Sequence, residues 1–298
     1  MEKSSPYFYL LFALLFWGSA PSIAKLALKR IDIFQITFFM YLFSSLSLLF
    51  IIFLLKKHTY INKLKKRDFI HFIYMSFIGI FFYFLFLFSS LSYATIQDAV
   101  IINYTWPIWM VIFSIYFLGE KFQLKNLLSI MVGFTGLFFI LTRGNFSDLS
   151  LINSPGFGFA LLSAVFYGLF SAMGKSSRRD PVVSMFFYYF FSLIYSFIGF
   201  IFFSNIIVFN LEDLAAVSWL GICSCGLGFL FWFEALRQGE SYELANFVYL
   251  TPFVSLIFIY FFIGEKIQIS SLLGLFFIIL AIFVNKIEIY HPSTTKES

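Results

Sequence analysis

Apolar stretches of about 20 residues recur from one end of the chain to the other, each long enough to cross about 30 Å of hydrocarbon as a helix. Short polar segments separate them. The pattern predicts ten membrane-spanning helices, near residues 7–28, 33–55, 69–93, 97–118, 124–142, 156–174, 182–204, 215–236, 243–263 and 269–286. The breaks have physical causes. Lys29-Arg30 precedes Asp32, and a basic segment opens at Lys56-Lys57-His58 and closes at Lys65-Lys66-Arg67-Asp68. Arg178-Arg179-Asp180-Pro181 stops the sixth span, because proline disfavours helix at the residue before it. Glu212-Asp213 stands ahead of the eighth. A transmembrane β-strand would alternate apolar and polar positions over about ten residues. Runs such as Phe81–Phe88 do not alternate, so the fold class is an all-α polytopic membrane protein.

Composition agrees. The chain is 61% hydrophobic, 12% charged and has a mean hydropathy of +0.92, against about a quarter charged residues in soluble domains. No polar block remains for a soluble domain. The net charge of +5 is not a nucleic-acid signal, because the basic residues collect in a few loops. With ten spans and an inside N-terminus, 15 of the 20 Lys and Arg residues fall inside, and Lys25, Lys29, Arg30, Arg143 and Lys266 remain outside. That bias predicts cytoplasmic termini and a bacterial inner-membrane location. Met1-Glu2-Lys3, an apolar run and Gly18-Ser19-Ala20 have the outline of a signal peptide. The first span has a repeat partner, however, and is read as retained.

That partner belongs to a duplication. Residues 103–123 read NYTWPIWMVIFSIYFLGEKFQ, and residues 248–268 read VYLTPFVSLIFIYFFIGEKIQ. Tyr104 falls on Tyr249, Pro107 on Pro252, Gly119-Glu120-Lys121 on Gly264-Glu265-Lys266 and Gln123 on Gln268. Around Trp17 the chain reads ALLFWGSAPSIAK, and around Tyr167 it reads SAVFYGLFSAMGK, which aligns Trp17-Gly18 with Tyr167-Gly168 and Lys25 with Lys175. Five spans per copy is an odd number, so the second copy enters the membrane from the opposite side. Two inverted five-helix repeats follow: residues 1–150, and residues 151–298 with a short polar C-terminal tail. Secondary transporters use this plan.

Candidate chemistry lies in the duplicated segments. Pro107 and Pro252 lack an N–H, which frees the carbonyls of Asn103 and Val248 near mid-membrane. Such carbonyls need a protein partner, water or a substrate. Asn103 and Trp106 share a helix face, as do Asn246, Tyr249 and Phe253. Trp17 and Tyr167 lie too deep in their spans for interfacial anchors, and each precedes a glycine that admits a neighbouring helix. The expected substrate-binding residues are Trp17, Asn103, Trp106, Tyr167 and Tyr249, with Pro107 and Pro252 shaping a cavity. Trp232 and Tyr83 are weaker candidates. No span carries an acid or base near its centre, the usual mark of a proton relay. Asp98, Glu234 and Glu243 sit near span ends, and Glu120–Lys121 and Glu265–Lys266 read as helix stops. Cys223 and Cys225 read as packing residues, and His58, His71 and His291 have no zinc-type spacing. No Walker motif, metal cluster or nucleophile–base pair appears, so neither an enzyme nor a cofactor is expected.

Ten spans in two inverted repeats, each ending its fourth span with proline and Gly-Glu-Lys, resemble the EamA-type branch of the drug/metabolite transporter superfamily. Asn103-Tyr104-x-Trp106-Pro107 resembles bacterial exporters of aromatic amino acids and related metabolites. Val248-Tyr249-Leu250-Thr251-Pro252 departs from it, lacking the Asn and Trp. The resemblance implies a central cavity lined by both repeats. It also implies a small-molecule substrate, a bilayer and no nucleic acid, with export of an amino acid by alternating access. Two alternatives stand beside it. One is an importer or exchanger of a nucleotide-derived cofactor-like metabolite. The other is a non-transporting scaffold or lipid-handling protein, which would turn Asn103 and the mid-span aromatics toward lipid and have no central cavity.

Overall fold

A computed structural model describes residues 5–27, 30–93, 102–121, 124–142, 155–263 and 269–286. Asp98, Gln123, Arg143, Gly264-Glu265-Lys266, Gln268 and His291 lie outside the described residues, as does the Lys25 side chain. Every regular element among the described residues is helical.

Helices α1 (Pro6–Ala27) and α2 (Ile33–Leu54) are followed by a short turn of helix, α3 (His58–Ile61). Next, α4 (Lys66–Ser76) runs through a π-helical stretch, Phe77–Phe81, into α5 (Phe82–Tyr93). Beyond these lie α6 (Trp106–Leu118), α7 (Leu124–Thr142), α8 (Pro155–Ser176) and α9 (Pro181–Phe203). Helix α10 (Leu211–Trp219) passes through a second π-helical stretch, Leu220–Leu227, into α11 (Gly228–Gln238). The last helices are α12 (Ser241–Val248), α13 (Leu250–Ile263) and α14 (Ile269–Lys286). Among the described residues, six helical runs are long and apolar enough to cross a membrane: Pro6–Ala24, Ile33–Leu54, Lys66–Leu87, Pro155–Ser176, Pro181–Phe203 and Leu211–Gln238. Shorter apolar helices are Trp106–Leu118, Leu124–Phe139 and Leu272–Ala281.

The solvation pattern suits lipid. Large apolar side chains cover the outside, including Phe50, Phe202, Phe261 and Phe283, whereas Ser44, Ser76, Asn103, Ser129 and Asn246 are buried. Lipid is as apolar as leucine, so close packing and interhelical hydrogen bonds hold such a bundle together.

The structure makes those contacts in matched pairs. A Cβ on Gly168 would lie 2.6 Å from Trp109 Cβ and 2.8 Å from Met110 N; one on Gly18 would lie 2.5 Å from Val254 Cγ1 and 3.3 Å from Ser255 N. Shifts of 150 (Gly18 to Gly168) and 145 (Trp109-Met110 to Val254-Ser255) convert one contact into the other. Ser44 Oγ reaches Gly221 O at 2.7 Å, and Ser192 Oγ reaches Ser76 O at 3.4 Å. These carbonyls lie at the entrances to the two π-helical stretches, where the regular ladder is disturbed and a side chain from another helix supplies a donor.

The polar ends repeat the arrangement. Asp32 caps α2 through Gln35 N, and its other oxygen accepts from Ser204 Oγ (2.8 Å) and Asn205 N (2.9 Å), just past α9. Asp180 caps α9 through Val182 N and Val183 N and pairs with Lys57 Nζ at 2.6 Å, just past α2. Asp68 at the start of α4 pairs with Arg179 (2.8 Å), and Asp213 at the start of α10 pairs with Arg30 (3.5 Å). Each carboxylate thus ends one helix's unsatisfied N–H groups and holds a second helix.

The helix of the fourth span differs from expectation. Pro107 does not kink a continuous helix. The chain turns at Tyr104-Thr105 and a new helix starts at Trp106, which puts Pro107 in the first turn. Proline costs nothing there, since first-turn N–H groups have no intrahelical partner. The second copy does likewise: α12 ends at Val248, Tyr249 is a turn residue, and α13 starts at Leu250, just before Pro252.

Candidate functional site

Trp17 lies near the middle of α1 and Tyr167 near the middle of α8, and both point inward with Trp106 at the start of α6. Trp106 and Tyr167 meet edge to face, their ring centroids 4.6 Å apart. Trp17 lies 6.4 Å from both. Two residues of α11 close the group: Trp232, 5.4 Å from Trp106 and 5.8 Å from Trp17, and Phe229, 5.4 Å from Trp17 and from Tyr167. Tyr83 of α5 leans on Tyr167 at 4.7 Å. Edge-to-face contacts set the positive ring edge against the negative face of the next ring. Rings from α1, α5, α6, α8 and α11 therefore meet at one point in the bundle.

The expected cavity is not open. Trp106, Tyr167 and Trp232 are at most 4% exposed, because the rings fill the space between the helices themselves. Close backbone approach explains how. Trp17 Nε1 lies against Gly228, where a Cβ would come within 2.9 Å, and Gly168 lets Trp106 and its neighbours sit directly on α8.

The polar atoms of the cluster are unequally satisfied. Trp232 Nε1 donates to Ser171 Oγ at 3.3 Å. Trp17 Nε1 and the Tyr167 hydroxyl are buried without a hydrogen bond among the described residues, although Tyr167 faces Ser171. A buried polar group without a partner costs about 1–3 kcal/mol. Asn103 is spoken for differently, since its amide donates to Ser163 Oγ on α8 at 2.8 Å. It is 5% exposed and faces the bundle interior, near the Tyr83 hydroxyl. That placement goes against the lipid-facing side chains a scaffold would show, whereas the closed ring cluster matches the lack of a central cavity that the same alternative implies.

Tyr249 stands apart. Its ring packs on Gly133 and Phe134 of α7, and no described ring contact joins it to the tryptophans. Its hydroxyl is buried and has no hydrogen-bond partner among the described residues, and the same holds for the side-chain oxygen of neighbouring Asn246, whose amide donates to Ser129 Oγ at 3.1 Å. Pro107 and Pro252 are both buried. Of the residues expected from sequence, the structure brings Trp17, Trp106 and Tyr167 together, puts Asn103 beside them and leaves Tyr249 in a second polar spot. Phe229 and Ser171 were not singled out in sequence. Phe229 is one of 48 phenylalanines, and no local pattern distinguishes it.

A second polar group lies at the ends of α6 and α8. Gly119 takes φ 67°, the left-handed conformation that ends a helix, and turns Glu120 inward. Glu120 Oε1 accepts from Lys175 Nζ (2.7 Å) and Ser241 Oγ (2.9 Å). Lys175 also donates to Gly239 O at 2.8 Å, and Ser114 Oγ donates to Ser241 Oγ at 3.0 Å. Glu120 is more than a helix stop, since its carboxylate ties α6 to α8 and to the start of α12.

A bundle of apolar helices, polar inside and apolar outside, with rings from five helices packed together in its interior, defines a polytopic membrane protein. Residues 4–142 and 154–286 each match the EamA-like transporter family, and the chain belongs to that family. It is similar to an uncharacterized transporter of Archaeoglobus fulgidus, 23% identical over 91% of this chain and 94% of the relative. The uncharacterized transporter YetK of Bacillus subtilis is 25% identical over 98% and 89%. The aromatic amino acid exporter YddG of Ancylobacter novellus is 26% identical over 59% and 62%. A solved crystal structure of a protein superposes with a TM-score of 0.84 at 20% identity, covering 96% of this chain and 98% of the other, and so shares the fold. The protein is a multi-pass membrane transporter of the drug/metabolite superfamily, with a small-molecule substrate and a lipid bilayer as its surroundings.

Proposed function

We propose that the protein exports an amino acid across the bacterial inner membrane by alternating access, with both termini in the cytoplasm. The observation that carries the proposal is the buried ring cluster, in which Trp17 Nε1 has no partner among the described residues and the Tyr167 hydroxyl has only the Ser171 side chain beside it. Ring faces suit the apolar part of an amphipathic solute. A donor and a hydroxyl able to donate or accept suit its charged head. The substrate enters when the rings part, and Trp17 Nε1 gains a partner at that moment. Trp17, Asn103, Trp106, Tyr167 and Tyr249 bind the substrate, and Pro107 and Pro252 shape its path.

In this reading ten spans form two inverted repeats, residues 1–150 and 151–298, that rock about the cluster. The paired contacts Gly18–Val254 and Gly168–Trp109, and the paired bonds from Ser44 and Ser192, support it. Each links one repeat to the other, so neither half moves alone. Export rather than import draws on the named relative from Ancylobacter novellus, and the absence of acids from mid-span favours facilitated efflux or exchange over proton-driven pumping.

Counterflow into proteoliposomes tests the substrate class. A panel of aromatic, branched and small amino acids is run beside nucleosides and nucleotides. Accumulation of one or more amino acids against preloaded cold substrate is the expected result. Accumulation of nucleotides alone would replace this reading with a cofactor exchanger.

A further inference from the structure

The Glu120 carboxylate has a second oxygen that its tie to Lys175 does not use. Glu120 Oε2 is buried and has no hydrogen-bond partner among the described residues, and the Glu120 side chain is only 10% exposed. Asn126 Oδ1, on the first turn of α7, is likewise buried and unpartnered in a residue 4% exposed. Both residues line one cleft between α6 and α7, whose walls are Ile108, Val111, Ile115 and Ile130. Lys121, exposed, stands at its lip.

Two unpartnered acceptors, one of them anionic, call for a donor with positive charge. Hydrogen bonds to charged groups contribute about 1.5–3 kcal/mol, more than neutral ones. The isoleucine and valine walls call for an apolar body behind that donor. We propose that this cleft between α6 and α7 is a second binding site, for a primary ammonium group carried on an aliphatic body. In an amino acid the ammonium sits between Glu120 Oε2 and Asn126 Oδ1, and Lys121 meets the carboxylate. The identity of the natural ligand rests on the amino-acid reading above; the site itself rests on the cleft. Because the same carboxylate holds Lys175 and Ser241, an ammonium docked on Oε2 draws on the charge that ties α6 to α8 and α12. Occupancy of the cleft thus bears on how firmly α6 is tied to α8 and α12.

The test uses the full chain, purified in nanodiscs, and follows its thermal unfolding midpoint. The probes are isoamylamine, isoamyl alcohol and 4-methylpentanoate, which share one aliphatic body. A ligand that binds the folded state raises the midpoint in a saturable way. The amine is expected to do so and the other two are not. Asn126→Ala, which leaves the Lys175 tie intact, is expected to weaken the apparent amine affinity at least tenfold, and Glu120→Gln to abolish the response. Trp106→Ala is expected to keep it. Equal shifts from amine and alcohol, or wild-type amine affinity in Asn126→Ala, would overturn the site. An amine response lost in Trp106→Ala but kept in Asn126→Ala would also overturn it, by assigning the amine to the central cluster. None of these readings depends on transport, so failed amino-acid counterflow would reject the substrate and leave the cleft standing.

Discussion

At the scale of the residue, Gly168 sets how closely α6 and α8 meet. Gly168 faces backbone atoms, Met110 N at 2.8 Å and Trp106 O at 2.9 Å from an added Cβ. Those atoms belong to the first turns of α6 and cannot turn aside as a side chain can. Overpacking of this kind costs about 1–3 kcal/mol. Gly168→Ala is therefore expected to lower the unfolding midpoint and to push Trp106 off Tyr167. Gly158, on the same helix, meets nothing within 4 Å. Gly158→Ala is expected to leave the midpoint unchanged or raise it, since alanine is favoured over glycine in a helix by about 1 kcal/mol. Equal loss in both variants would mean that close approach at Gly168 is not what the glycine provides. The importance of Gly168 was legible in the chain, because it repeats Gly18 in the same setting. What it touches was not, because that depends on which span of the other half comes alongside.

At the scale of the element, helix ends carry the long-range order. Asp180 both caps α9 and holds Lys57 beyond the end of α2. Asp180→Ala removes a cap, worth about 0.5–2 kcal/mol, and strands a partly buried lysine. Lys57→Met removes only the ion pair, and the Asp180 carboxylate it leaves behind keeps its hydrogen bonds from Val182 N and Val183 N. Asp180→Ala is thus expected to destabilise more than Lys57→Met by chemical or thermal unfolding. The reverse order would make the ion pair, not the cap, the main contribution. Sequence periodicity located the helices well, and the expected span of 182–204 matches α9, Pro181–Phe203. It misread the proline helices, because hydropathy is blind to a two-residue turn inside an apolar run. Tyr104-Thr105 and Tyr249 interrupt the backbone without adding charge. The two π-helical stretches escaped for the same reason, since an extra residue in a helical turn leaves hydropathy unchanged.

At the scale of the whole molecule, the paired contacts join span to span across the two halves, and the aromatic cluster sits where those halves meet. The inward convergence of Trp17, Trp106 and Tyr167 was legible because large aromatics at matched, mid-span positions have no interfacial role to play. Their convergence was legible only in outline, and the cluster needed Phe229 and Trp232 from α11 to close. Tyr249 matched Tyr104 in sequence, but its ring went to α7, because α13 is carried by the other half of the bundle. Glu120 and Lys175 were visible as two separate loop charges, and only the folded chain brought them to 2.7 Å. The account rests on the ring cluster being the place where substrate binds during transport. The most direct measurement is the initial rate of amino-acid counterflow in proteoliposomes, compared for wild type, Trp106→Ala and the lipid-facing control Ile198→Ala. The account predicts at least a tenfold loss in Trp106→Ala, equivalent to about 1.4 kcal/mol, and a wild-type rate in Ile198→Ala. A Trp106→Ala rate equal to wild type, in protein that folds and inserts normally, would contradict it.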